Sequence, residues 1–236
     1  MLFMVLSVPA GNSQAGAPAK TLKISQRNQS LLGRLGNYPD LEILSINCIE
    51  DLRALPDSIG KLAKLKQLII DNGNGCSMNP VLPEWIGNLH LLEKLVLYGA
   101  QDPGGTGKQP KERHKFPDSM SQLKNLSYLD LGRNGLDEIP AFIKDLPRLR
   151  ELRFQWNKLK AVPPFIVNLH ELSTLMLDGN DLGDLSSFLK TLPKLTRVTL
   201  GNNCSISENT AKINKLRRTL PRVKVDFTEE YDCPAR

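Results

Sequence analysis

The stretch LSYLDLGRNGLDEIPAFIKDLPRL, Leu126 to Leu149, decides how the rest of the chain is read. Its apolar residues follow neither one helical period nor strict alternation. In the opening L-x-x-L-x-L, Leu129 and Leu131 stand two apart. A strand would point both to one side and put Tyr128 and Asp130 on the other. An asparagine, Asn134, follows, and then a second apolar run that opens at Ile139-Pro140.

The same pattern returns at a fixed interval. LSYLDLGRNGL starts at Leu126, LRELRFQWNKL at Leu149, LSTLMLDGNDL at Leu172 and LTRVTLGNNCS at Leu195, each 23 residues after the last. Three equal intervals in register mark a solenoid, in which no unit can bury its apolar face alone. Upstream the frame stretches: LEILSINCI starts at Leu41, LKQLIIDNG at Leu65 and LEKLVLYGA at Leu92. Between Leu92 and Leu126 lies QDPGGTGKQPKERHK, residues 101–115, rich in glycine, proline and charge. That composition predicts a mobile loop at one rim.

The unit L-x-x-L-x-L-x-x-N-x-L, followed by runs such as IPAFIKDLPR and VPPFIVNLHE, resembles the leucine-rich-repeat family. Its regular 23-residue form and the stretches LPEWIGNL and LPRVKVDF look like bacterial members, with similar repeats in plant and animal intracellular proteins. The resemblance implies an α/β solenoid shaped as a horseshoe. A parallel β-sheet would line the concave face, and short helices, 3-10 turns and loops the convex one. It also implies a non-enzymatic protein-binding module that recognises a protein ligand through the concave face.

The expected organisation is an N-terminal segment over 1–19, a cap over 20–40, seven repeats over 41–222 and a closing strand and tail over 223–236. Stacked units would place Asn134, Asn157, Asn180 and Asn203 one above another where the chain leaves each strand. An amide carries donors and an acceptor, so it can satisfy backbone groups of successive turns. Losing one should cost roughly 1–3 kcal/mol. Ile49, Gly73 and Ala100 hold that position in the first three repeats. The N-terminal half is therefore expected to be the less regular.

The outward positions of the strands supply the candidate binding face: Tyr98, Tyr128, Asp130, Arg153, Trp156, Met176 and Asp178. Tyrosine, tryptophan, arginine and methionine are the types that dominate interface cores. In a chain only 6% aromatic, three rings on one face argue for a docking surface. The alternative is a structural spacer that touches partners through its charged cap and the 101–115 loop.

Other chemistries lack support. GGTGKQ fails as a phosphate-binding loop, because Asp102 stands where the first glycine belongs and Gln109 where Ser or Thr must bind magnesium. His90 and His170 recur on matching outer turns, His114 falls in the insertion, and no catalytic arrangement is visible. No cofactor or metal is expected. A net charge of +6 favours acidic partners without forming the dense basic stripe of a nucleic-acid binder. The charge gathers in INKLRRTLPRVK near the C-terminal end. The expected partner is thus a protein, with no nucleic acid and no membrane span, and the chain itself a monomer.

Compartment stays open between two readings. Leu2 to Val8 matches the apolar core of a secretory signal, and Ser13-Gln14-Ala15 a small-x-small cleavage site, but no basic residue precedes them. Residues 1–19 read either as a signal peptide, which implies export, or as a disordered tail of a cytoplasmic protein. Four cysteines, Cys48, Cys76, Cys204 and Cys233, suit export as two disulfides, with sequence proximity favouring Cys48–Cys76 and Cys204–Cys233. Four reduced thiols suit the cytoplasm.

Overall fold

The computed structural model describes residues 19–50, 52–72, 80–99, 116–185, 187–207 and 209–228. The expectations for residues 1–18, for the insertion 101–115, and for Gly73, Cys76, Ala100 and Cys233 lie outside them.

Nine strands form one parallel sheet in strict chain order. They are β1 (Thr21–Ser25), β2 (Ile43–Asn47), β3 (Gln67–Asp71), β4 (Lys94–Tyr98), β5 (Tyr128–Asp130), β6 (Glu151–Arg153), β7 (Thr174–Met176), β8 (Arg197–Thr199) and β9 (Lys224–Asp226). Register is unbroken: Leu22, Leu44, Leu68, Leu95, Leu129 and Leu152 stack, and Leu175, Val198 and Val225 continue the column. This is a leucine-rich-repeat solenoid, with its sheet on the inner face.

Each unit returns along the outer face through a one-turn 3-10 segment, such as Glu84–Asn88, Ala141–Asp145 or Pro164–Asn168. Pro83, Pro140 and Pro163 sit at the entry to these three turns. Proline presets φ there and gives up an N–H that the first turn leaves unpaired in any case. Three apolar residues per outer run, for example Ile139, Ile143 and Leu146, pack inward against the strand leucines. The core is therefore one continuous apolar layer between sheet and outer turns, each fully buried leucine contributing about 2 kcal/mol. At the third leucine position of its repeat, just past β6, Phe154 replaces leucine and is fully buried. The C-terminal end is closed by α1 (Cys204–Ser207), α2 (Thr210–Thr219) and β9, with Leu216 and Leu220 buried against the last repeat.

The second residue after the last inward-facing position is left-handed in six of the described repeats: Cys48, Gly99, Arg133, Trp156, Gly179 and Asn202 have φ between 36° and 65°. The turn out of the sheet is made there. Non-glycine residues tolerate this region at a cost of roughly 1 kcal/mol or more.

The asparagines satisfy the turn. Asn157 Nδ2 donates to Phe154 O and to Leu131 O of the preceding repeat, both at 2.9 Å, while its Oδ1 accepts from Asn134 N and Leu136 N, both at 3.0 Å. Asn180 and Asn203 repeat the arrangement one and two units on. Asn134 heads the series, its Nδ2 donating to Leu97 O at 2.8 Å.

In the N-terminal half the strands are longer than in the C-terminal half, five residues against three. Ile24, Ile43, Ile46, Ile69, Ile70 and Val96 lie in these longer strands, and β-branched side chains suit the pleated surface. Ile49, at an asparagine position, is buried in the core.

Candidate functional site

The inner face carries three rows of outward side chains. Lys94, Tyr128, Glu151, Thr174 and Arg197 form one row, and Val96, Asp130, Arg153, Met176 and Thr199 the next. Asp71 and Tyr98 begin the third. Five of the seven residues singled out in the sequence, Tyr98, Tyr128, Asp130, Arg153 and Met176, therefore lie on this sheet face. Asp178 and Trp156 stand just beyond the strands, at the margin where the chain turns away.

Two clusters organise the rings. Tyr128 lies between two cations, with Lys94 Nζ 4.5 Å and Arg153 Cζ 5.0 Å from the ring centroid. Such contacts contribute about 0.5–1 kcal/mol each where exposed. Arg153 is steadied in turn by Glu151, whose Oε1 accepts from Nε at 2.6 Å and lies 2.5 Å from Nη2. Burial, reinforced by the charge of Asp130, pushes the Tyr128 hydroxyl up to about 12, so it stays a neutral donor. Burial likewise raises Tyr98, against the opposing charge of Arg133.

In the second cluster Arg133 reaches both Tyr98 and Trp156, its Cζ 5.9 Å and 5.8 Å from their centroids. Both rings lean onto the following repeat. A Cβ on Gly132 would stand 2.8 Å from the Tyr98 ring, and one on Gly179 would press still closer to the Trp156 indole. Glycine at these two positions lets the rings lie flat.

The acids do other work. Asp130 is only 8% exposed and accepts from Gly132 N at 2.9 Å. Burial raises its pKa and the amide bond partly offsets this. Asp178 accepts from Gly201 N at 2.9 Å, from Gln155 Nε2 at 3.2 Å and from the Thr199 hydroxyl. Both carboxylates thus brace the turns, where the sequence had suggested charges turned toward a ligand.

Lys94, Arg133, Glu151 and the two supporting glycines were not among the residues first singled out. The inward–outward alternation locates Lys94, Arg133 and Glu151 on the face. The glycine supports leave no sequence signal, because they act across repeats.

Neither Cys48 nor Cys204 is a free thiol. Among the described residues no cluster of three metal-ligating side chains occurs, and no helix is long and apolar enough to cross a membrane.

No family model and no curated protein matches the sequence. Solved structures do. A leucine-rich-repeat protein of Leptospira interrogans superposes with a TM-score of 0.57 over 90% of this chain and 56% of its own, at 23% identity. An internalin (inlF) of Listeria monocytogenes superposes with a TM-score of 0.50 over 85% of this chain and 57% of its own, at 16% identity. The chain spans a little over half the length of both. At these identities the likeness is one of fold.

Proposed function

We propose that the protein is a non-enzymatic recognition module that binds a protein ligand on the concave sheet, centred on repeats three to six. The observation that supports this reading is the interleaving of three half-buried rings with three cations on the face that the solenoid leaves open. All three rings are held in place before any ligand arrives: Tyr98 and Trp156 by glycines beneath and Arg133 beside them, Tyr128 by Lys94 and Arg153. Rigid aromatic anchors lose little entropy on binding, which is how a few residues come to dominate an interface. Arg133 and Trp156 add a further argument. Both occupy a left-handed position where Gly99 and Gly179 serve other repeats without the steric cost. Strain retained at half-buried surface positions is consistent with a task for the side chain.

In this reading Lys94, Arg133 and Arg153 steer acidic groups of the ligand, Met176 extends the apolar contact, and Asp130 and Asp178 hold the frame. The protein acts as a monomer. Affinity capture from lysate with the parent and a Trp156→Ala, Tyr128→Ala pair tests it. Binding of the captured ligand should weaken by more than about 2 kcal/mol in the double variant while the unfolding midpoint stays near that of the parent. Equal binding by both proteins removes the concave-face assignment.

We also propose export, with Cys48–Cys76 and Cys204–Cys233 as the disulfides. The engaged state of Cys48 and Cys204 supports this part. Mass mapping of the unreduced protein from fractionated cells tests it, and recovery of four alkylated thiols would refute it.

A further inference from the structure

A separate feature lies on the flank where the strands begin. The residue just before each strand forms a column joined by backbone bonds: Lys66 N to Glu42 O, Glu93 N to Lys66 O, Ser127 N to Glu93 O, and Arg150 N to Ser127 O. A second column, two residues earlier in each repeat, holds Asp40, Lys64, Leu91, Asn125, Arg148, Glu171 and Lys194. Toward both ends of the flank, opposite charges of neighbouring repeats meet directly. Lys20 and Lys66 grip Glu42 at 2.7 and 2.8 Å, Lys64 meets Asp40 at 2.5 Å, and Lys194 meets Glu171 at 2.6 Å.

Among the described residues no such pair involves the fourth repeat on this flank. That repeat offers Asn125 and Ser127, which carry no charge. A recess of about 500 Å³ opens there, lined by Glu93, Asn125, Ser127, Arg148, Arg150 and Glu171. The cation nearest Glu93 in the ladder, Lys66, bonds Glu42 instead. The carboxylate next to Arg150, Glu171, gives both oxygens to Lys194 at 2.6 and 2.7 Å. Among the described residues Glu93 and Arg150 therefore have no ion-pair partner, and Arg148 is held only by Asn125 Oδ1 at 2.6 Å.

Sign and distance define what fits. The backbones of Glu93 and Arg150 stand two strand spacings apart, about 9.6 Å, and their exposed side chains line the same recess. One charge between them would satisfy one wall and repel the other. A dipolar group satisfies both, with a cation toward Glu93 and an anion toward Arg148 and Arg150. The amino nitrogen and carboxylate oxygen of an α-amino acid are about 3 Å apart. With a hydrogen bond of about 2.9 Å at each end, such a molecule lies within reach of both side chains at once. We propose that this recess binds a small zwitterion of the α-amino-acid class, its ammonium on Glu93 and its carboxylate on Arg148 and Arg150. Asn125 and Ser127 supply neutral dipoles along the floor.

Titration of the full isotope-labelled chain with glycine, followed by NMR, tests the site. The controls are glycine ethyl ester, which lacks the anion, and N-acetylglycine, which lacks the cation. Glycine should shift resonances of Glu93 and Arg150 saturably and bind at least about tenfold more tightly than either control, a difference of about 1.4 kcal/mol. Glu93→Gln should bring glycine down to the level of N-acetylglycine, and Arg150→Gln to that of the ethyl ester. Both residues are exposed, so both variants should keep the parent's melting curve. A terminally blocked Lys-Glu dipeptide separates the sources. Tighter binding of the dipeptide than of glycine supports the site and assigns its ligand to a side-chain pair on a protein partner. Glycine binding that matches either control, or that ignores both substitutions, overturns the proposal.

Discussion

The repeats up to Tyr98 and those from Tyr128 onward solve one problem in two ways. In both halves the chain leaves the sheet and turns outward, and in both the backbone groups of that turn must find partners. In the C-terminal half strands of three residues are followed by an asparagine whose side chain bonds to two repeats at once. In the N-terminal half strands of five residues carry main-chain pairing two positions further, and apolar Ile49 fills the place that asparagine holds elsewhere. One half relies on a recurring asparagine buried in the core, the other on length and β-branching, helped by the buried Asn72, whose Nδ2 donates to Gly99 O at 2.8 Å. The family pattern is thus one implementation of a backbone requirement that a different sequence can also meet.

Substitutions can break the comparison. Asn157→Ala should have the largest effect, about 3 kcal/mol, because it orphans Asn134 N, Leu136 N and the carbonyls of Leu131 and Phe154 together. Urea unfolding measures it, and a loss below about 0.5 kcal/mol would show the ladder to be dispensable. Ile49→Asn, which writes the family residue into the N-terminal half, should destabilise by about 2 kcal/mol, since an amide is buried in an apolar position. A neutral or stabilising result would mean that the two halves share one turn.

The smallest effect concerns pH. Hydrogen bonds from Lys20 and Lys66 hold the Glu42 carboxyl down to about 2, against an ordinary 4.5. A depressed folded pKa gives stability that is present above 4.5 and is lost as pH falls toward 2. The group is solvent-exposed, so the contribution is small and screened by salt. Amide protection factors in β1 and β2, corrected for the intrinsic exchange rate at each pH, should therefore fall between pH 4.5 and 2 at low salt, and the acid response should fade in 1 M salt. An equal response in β7 and β8 would remove its link to Glu42.

Much of this was legible beforehand. Equal spacing located β5 through β8, the alternation of L-x-L assigned sides, and the lone asparagines announced the ladder. The candidate face was half legible. Alternation put Tyr98, Tyr128 and Arg153 outward. It could not show that Asp130 bends back to Gly132 N, since a carboxylate on an exposed face and one bonded to an amide share the same position in the repeat. Trp156 was read as part of the strand, whereas its left-handed φ of 59° carries it to the margin. The expectation of a less regular N-terminal half missed the longer strands, because only the lost asparagine was weighed and not the isoleucines beside it. The recess escaped notice for another reason: it depends on the sign of charges two repeats apart, a relation that no single repeat contains.

The asparagine series also gives the solenoid a direction. The cross-repeat bonds described for the side chains of Asn157, Asn180 and Asn203 run backward, to carbonyls and amides of the unit before. Sheet pairing is lost whichever end is peeled, but peeling from the C-terminal end also strips these amide partners from main-chain groups of the remaining stack, whereas peeling from the N-terminal end frees a side-chain amide that can rotate into water. Under a pulling force the two ends are not equivalent, and the helices α1 and α2 close the end from which unravelling would strip the stack.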